Sequence, residues 1–283
     1  MSNPTNPAFT GPGTQPMEED GSVLEYMEMP EGMMTFARPI IPEPEEAAGL
    51  DAAKAILEQV LTALRGFRVG DDAARIDLRP LDAANLAFVD QMLGSGEVSI
   101  VAGADVQIQE SVMAGIWRVR RTGGDGRLAA DTVEVGHIPA GLAAFAAWDA
   151  QPLVPRATAE PPAGVQSAPA LLTEINDALR NEARETGAYT INLSLLPHTE
   201  EDLAYLAERL GRGSVVVLSR GYGNCRVSST GTRHVWWVQY YNSQDALILN
   251  TLEVTAMPEV ACAAIEDIED SAERLDEILE IYR

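Results

Sequence analysis

Residues 221–254 read GYGNCRVSSTGTRHVWWVQYYNSQDALILNTLEV, the stretch of the chain densest in β-branched and aromatic residues. Gly221, Gly223 and Asn224 form a turn signal ahead of a short strand, and 233–241 is a second strand-like run. Asn242, Ser243, Gln244 and Asp245 then turn the chain into a third strand from about Leu247. Closely spaced turns between strand-like runs leave no room for a crossover, so the stretch predicts an antiparallel β-meander.

Outward from this unit, the same pattern recurs upstream. IWRVRRTGGDGRLAADTVEV (116–135) aligns without a gap on VWWVQYYNSQDALILNTLEV (235–254), setting Trp117 against Trp236 and Glu134 against Glu253. The match runs on to Pro139 and Pro258. A second block, 86–101, lies on 203–218 and repeats Leu93, Gly94, Gly96 and Val98 as Leu210, Gly211, Gly213 and Val215. Two blocks in the same order predict an internal duplication. The expected fold is α+β: two copies of an α-β-α-β-β-β(-α) unit, each with a small sheet ending in an antiparallel meander.

The rest of the chain fits around the two copies. Residues 1–46 are rich in Pro and Gly and acidic and read as a tail, in which the cluster Tyr26, Met27, Met29, Met33, Met34 and Phe36 precedes Pro39-Ile40-Ile41-Pro42. The first unit takes 47–149, a Pro-rich linker 150–168, and the second unit 169–283. Helices are expected over 51–64, 82–93, 171–184 and 199–210, strands over 74–78, 97–101, 189–195 and 214–219, and an Ala-rich helix after Pro139. After Pro258 comes a closing helix with Ile265, Ile268, Leu275, Ile278, Leu279 and Tyr282 on one stripe and acidic residues on the other.

A net charge of −23 over 283 residues excludes a nucleic-acid surface, which needs clustered Lys and Arg, and an anionic membrane surface with it. No apolar run is long enough to cross a bilayer and no signal peptide opens the chain, which predicts a cytoplasmic protein. Only Cys225 and Cys262 are present, so there is no disulfide framework and no CxxC metal motif. His137, His198 and His234 lack ligand spacing, and no phosphate loop, dinucleotide fingerprint or nucleophile elbow occurs. The sequence carries no catalytic constellation and no cofactor or metal site, and predicts a non-enzyme.

The two copies differ where a binding surface is most easily built. Trp117 and Val119 match Trp236 and Val238, so that strand parity faces a core. The opposite parity is Arg118 and Arg120 in the first copy, a solvated face, but Trp237, Gln239 and Tyr241 in the second, a covered one. The cover is either the other half or the tail, or else a partner, since Trp, Tyr and Arg concentrate at interfaces. The second copy also has a longer turn holding Tyr222, Asn224, Cys225 and Arg226, with Arg220 and Arg233 beside it. Cys225 is either a small buried hydrophobe or a thiol activated by these arginines. The candidate partner-binding set is Tyr222, Asn224, Cys225, Arg226, Arg233, Trp237, Gln239 and Tyr241. Cys262 reads as packing, and Glu134 and Glu253 as structural.

RGYGNCR (220–226), VWWVQY (235–240), ILNTLEV (248–254) and the following PEV (258–260) resemble the C-terminal signature of the HupH family of hydrogenase expression/formation proteins, also called HyaF or HoxQ. The resemblance covers about 187–282, with the first half similar in layout. It implies maturation of the uptake nickel–iron hydrogenase, acting on the iron–sulfur small subunit, and contact with other maturation proteins, in the cytoplasm before twin-arginine export. It supplies no catalytic residues. Two roles follow: an assembly chaperone that holds the subunit through the second meander, or a thiol-dependent enzyme or iron–sulfur cluster-handling factor using Cys225.

Overall fold

The computed structural model describes residues 41–181, 187–220 and 223–283. The apolar tail residues Met27 to Phe36 and the candidate Tyr222 lie outside these. The first half gives α1 (Asp51–Gly66), β1 (Ala74–Asp77), α2 (Ala83–Leu93), β2 (Val98–Ala102), β3 (Val106–Glu110), β4 (Ile116–Thr122), β5 (Leu128–Val135) and α3 (Leu142–Ala147). The second gives α4 (Ala168–Arg180), β6 (Tyr189–Asn192), α5 (Glu200–Leu210), β7 (Arg212–Ser219), β8 (Asn224–Thr230), β9 (Val235–Tyr241), β10 (Leu247–Val254) and α6 (Ile265–Glu280).

Instead of a small sheet in each half there is one antiparallel sheet of ten strands, in the order β1-β5-β4-β3-β2-β7-β8-β9-β10-β6. Each half supplies five strands, one more than an α-β-α-β-β-β(-α) unit. The physical reason for the merger is edge satisfaction. A meander alone leaves β2 and β7 each with a row of unpaired N–H and C=O groups, and pairing them with one another removes both open edges. Ile100 stands opposite Val217, its aligned counterpart, with Val98 opposite Ser219 and Ala102 opposite Val215. Each strand thus meets its own equivalent head to tail. The two strands left at the edges, β1 and β6, are only four residues each.

Alternate residues of a strand face opposite sides, and the register carries that parity across the sheet. Ile116, Val133 and Val135 face α1 and α2, while Val235, Leu252 and Val254 face α4 and α5. On the other face run Trp117, Val119, Ile100, Val217, Val227, Trp236 and Val238, all belonging to one core. Trp117 and Trp236 are buried and donate matching indole bonds to Gly136 O (2.9 Å) and Thr255 O (3.2 Å).

The helix ends repeat a common device. Asp82 caps α2 through the Asn85 amide (2.8 Å), and Thr199 with Asp202 forms a capping box on α5. Asn85 Oδ1 then accepts from the Ala53 amide in α1 (2.9 Å), as Asp202 Oδ1 accepts from the Ala168 amide in α4 (2.9 Å). The closing helix departs from this pattern. Its apolar stripe, Ile268, Ala272, Leu275 and Leu279, packs into the first half against α1. Arg65–Asp276 (2.5 Å) and Arg283–Glu58 (2.9 Å) pair across the seam, and Tyr282 stacks edge-on against Phe88.

Two local expectations need correction, and the link between the halves gains detail. The end of the 189–195 run is a 3₁₀ turn, Leu193–Leu195, which follows β6. The segment after Pro258 is a 3₁₀ turn, Glu259–Ala261, with Cys262 just past its end, so Cys262 is not on a helix. The 150–168 segment is anchored: Gln151 bridges to Thr232, and Val154 is buried in the second core.

Candidate functional site

The described candidates divide between the two faces of the sheet. Asn224, Arg226, Trp237, Gln239 and Tyr241 share the face carrying α4 and α5, because Asn224 pairs with Tyr241, Arg226 with Gln239 and Ser228 with Trp237. Asn224 belongs to β8 rather than to a turn, and its amide reaches Asp245 Oδ1 in the β9–β10 turn (2.8 Å). Tyr241 is buried, with 4% of its surface exposed. Trp237 packs against the core built by α4, α5 and β10 and donates its indole N–H to Asn250 Oδ1. Among the described residues its cover comes from its own half. Arg233 is exposed in the β8–β9 turn, its amide bonded to Gln151 O (2.8 Å).

The matching face of the first half is covered too, which overturns the solvated reading of Arg118. Its guanidinium forms an ion pair with Asp131 and reaches Asp90 of α2, leaving 12% of the side chain exposed. Asp131 is the aligned counterpart of Asn250, so an Arg–Asp pair in one half stands where a Trp–Asn pair stands in the other. One position, one partner, two chemistries: the difference is internal packing.

Cys225 points the other way. It lies on the Trp117–Trp236 face beside its cross-strand neighbour Tyr240, and the two line a cleft of about 520 Å³ at the β2–β7 junction. Cys262 lines the same cleft, so both thiols of the chain meet in one place. Glu110, at the end of β3, supplies a third wall with Trp117, and Asp267 of α6 and Glu97 stand at the rim. Glu110 is 8% exposed and accepts one bond, from the Gly115 amide (3.3 Å).

Electrostatics follow from that burial. The carboxyl of Glu110 is pushed up to about 7 by burial first, with Glu97 and Asp267 adding like charge. The Cys225 thiol is pushed up to about 12 by burial and the nearby Glu253, against a hydrogen bond from Tyr240. Burial and Glu259 raise Cys262 to about 12 as well. Arg226 projects from the opposite sheet face and Arg233 sits at the far end of β8, so neither stands beside the thiol as the activated reading of Cys225 requires. Among the described residues no group of three or more His, Cys, Asp and Glu is placed to hold a metal ion, and no helix is long and apolar enough to cross a membrane. Sequence reasoning missed Glu110, Tyr240 and Asp267. The available signal was the mismatch between copies, Glu110 standing where the second half has Ser229.

Comparison with known proteins gives the same family twice over. The family model described as HupH hydrogenase expression protein, C-terminal conserved region, matches residues 50–151 and again 165–282. The hydrogenase expression/formation protein HupQ of Azotobacter chroococcum mcd 1 is 47% identical over 97% of this chain and 96% of its own length. HupH of Rhodobacter capsulatus is 45% identical over 98% and 97%, and the hydrogenase-1 operon protein HyaF of Escherichia coli (strain K12) 32% identical over 95% and 93%. With both halves matched and relatives aligned nearly end to end, this chain belongs to the HupH hydrogenase expression protein family.

Proposed function

We propose that this protein is an accessory factor in hydrogenase maturation that works by holding an immature hydrogenase component, the small subunit, in the cytoplasm, rather than by catalysing a reaction. The observation that carries the reading is the near full-length match to relatives named as hydrogenase expression/formation proteins. The two thiols, one buried and one half-buried, support binding over thiol chemistry, since a thiol pushed up to about 12 is protonated near neutral pH. The acidity of the chain suits a basic partner surface. Tagged chain captured from cells making the hydrogenase is expected to retain the small subunit, and deletion of the gene to leave that subunit immature. Normal maturation without the chain would overturn the reading.

We also infer that the chain arose by duplication of one α+β unit, with 47–149 and 169–283 as its two copies and 150–168 as the link. The double family match and the self-equivalent pairing of Ile100 with Val217 support this.

A further inference from the structure

The cleft has a counterpart at the opposite end of the β2–β7 junction, and the two differ in what closes them. Glu110 pairs with Trp117 as Ser229 pairs with Trp236, and Cys225 pairs with Tyr240 as Val106 pairs with Arg121. Continuing the same alignment past Pro139 and Pro258 sets Phe145 against Ala264. On the Phe145 side, α3 lies over β2 and β7, and the ring stands 3.0 Å from where a Cβ on Gly103 would lie. Beside Trp236 only about 10 Å³ is left there. On the Ala264 side the chain makes only its 3₁₀ turn, and about 520 Å³ stays open. The open side alone has Glu110, Cys225, Tyr240 and Cys262. The plugged side has Ser229, Val106, Arg121 and Ala143 at those positions.

The open side also holds an unmatched charge. Glu110 is more than nine-tenths buried, lines the cleft, and its Oε2 meets no hydrogen-bond donor among the described residues. None of the ion pairs among those residues reaches Glu110 or Asp267, and no described Lys, Arg or His lines the cleft. A buried carboxylate under reduced dielectric, with more negative charge at the rim, favours a cation strongly. Three metal-ligating groups do not converge, whereas aromatic walls and a volume within the usual range for ligand pockets suit an organic cation.

We propose that this cleft is a binding site for a basic side chain of a partner polypeptide, its ammonium or guanidinium seated against Glu110 with Asp267 at the rim. The site goes beyond the maturation reading and rests only on the equivalence of the two halves. It is tested on the purified full chain by NMR titration with three short capped peptides, identical except for a central arginine, lysine or uncharged citrulline. The arginine or lysine peptide, or both, is expected to shift the Gly115 and Ala263 amides, with citrulline at least tenfold weaker. Glu110→Gln is expected to weaken binding at least tenfold. Should that variant fail to fold, Asp267→Asn on the exposed face of α6 takes its place with a smaller loss expected. Ala264→Phe, copying the plug of the other half, is expected to abolish binding while leaving the melt unchanged. Equal binding of citrulline, no shift with any peptide, or undiminished binding by folded Ala264→Phe each overturns the proposal. Because the assay contains no hydrogenase component, such a failure leaves the maturation role standing, while normal binding with normal maturation in a deletion strain would overturn only the latter.

Discussion

At the scale of single residues, Glu110 is the group with most to reveal about the cleft. Its folded carboxyl titrates at about 7 against an ordinary 4.5, so between those values the folded chain holds a proton the unfolded chain has lost. The stability this contributes is present below about 4.5 and lost as pH rises to about 7. Glu97, Asp267, Cys225, Cys262 and Tyr240 line the same cleft, and burial pushes both thiols and the Tyr240 hydroxyl up to about 12. Glu110→Gln keeps the acceptor for the Gly115 amide and removes the titration. The variant is expected to match the parent near pH 4.5 and exceed it by on the order of 3 kcal/mol near pH 8, read by urea unfolding across pH. A parent whose stability does not fall between pH 5 and 7 relative to the variant would contradict the assignment.

At the scale of elements, the repeated glycines explain how each helix hands over to its strand. Gly94 and Gly211 end α2 and α5 with positive φ values of 58° and 68°. Gly96 and Gly213 serve a different need. A Cβ on Gly96 would lie 2.1 Å from Ser111 O, and one on Gly213 would lie 2.2 Å from Ser229 Oγ and 2.7 Å from Thr230 O. Backbone atoms stand within 3 Å of both sites, so moving the Ser229 side chain alone would not make room at Gly213. Gly96→Ala and Gly213→Ala are each expected to cost ~2–3 kcal/mol by thermal or urea melts. Gly124→Ala, where a Cβ meets nothing within 4 Å, is the control and is expected to change little. An unaffected Gly96→Ala would mean that the strands separate easily there.

At the scale of the molecule, the sheet and α6 tie the halves into one body. The β2–β7 pairing buries Ile100, Val215 and Val217, and α6 extends the second half over α1 of the first. Val217→Asp sets an unpaired carboxylate beside Ile100 in this seam and is expected to cost ~4 kcal/mol or more. Since one core spans both halves, Trp117 and Trp236 are expected to lose their native fluorescence in one shared transition. Two transitions, with one tryptophan melting first, would show instead that the halves fold as separate units.

The sequence by itself determined the local structure and the internal match between its two halves. The alternation of β9, the caps at Asp82 and Thr199 and the glycine stops at Gly94 and Gly211 are short-range signals, and the helices and strands formed close to where those signals stand. The family was legible in the 220–226, 235–240 and 248–254 motifs for the same reason. Only the tertiary structure decided what paired with what. Strand alternation tells which residues share a face but not what covers it, so the cover over Trp237 and the burial of Arg118 were decided only when α4, α5, Asp131 and Asn250 came beside them. Nor does a meander record that its first strand has an open edge for another to fill. The cleft at Glu110 depends on β2, β3, β7, β8, the turn before Cys262 and the start of α6 meeting in space, an arrangement that no spacing along the chain encodes.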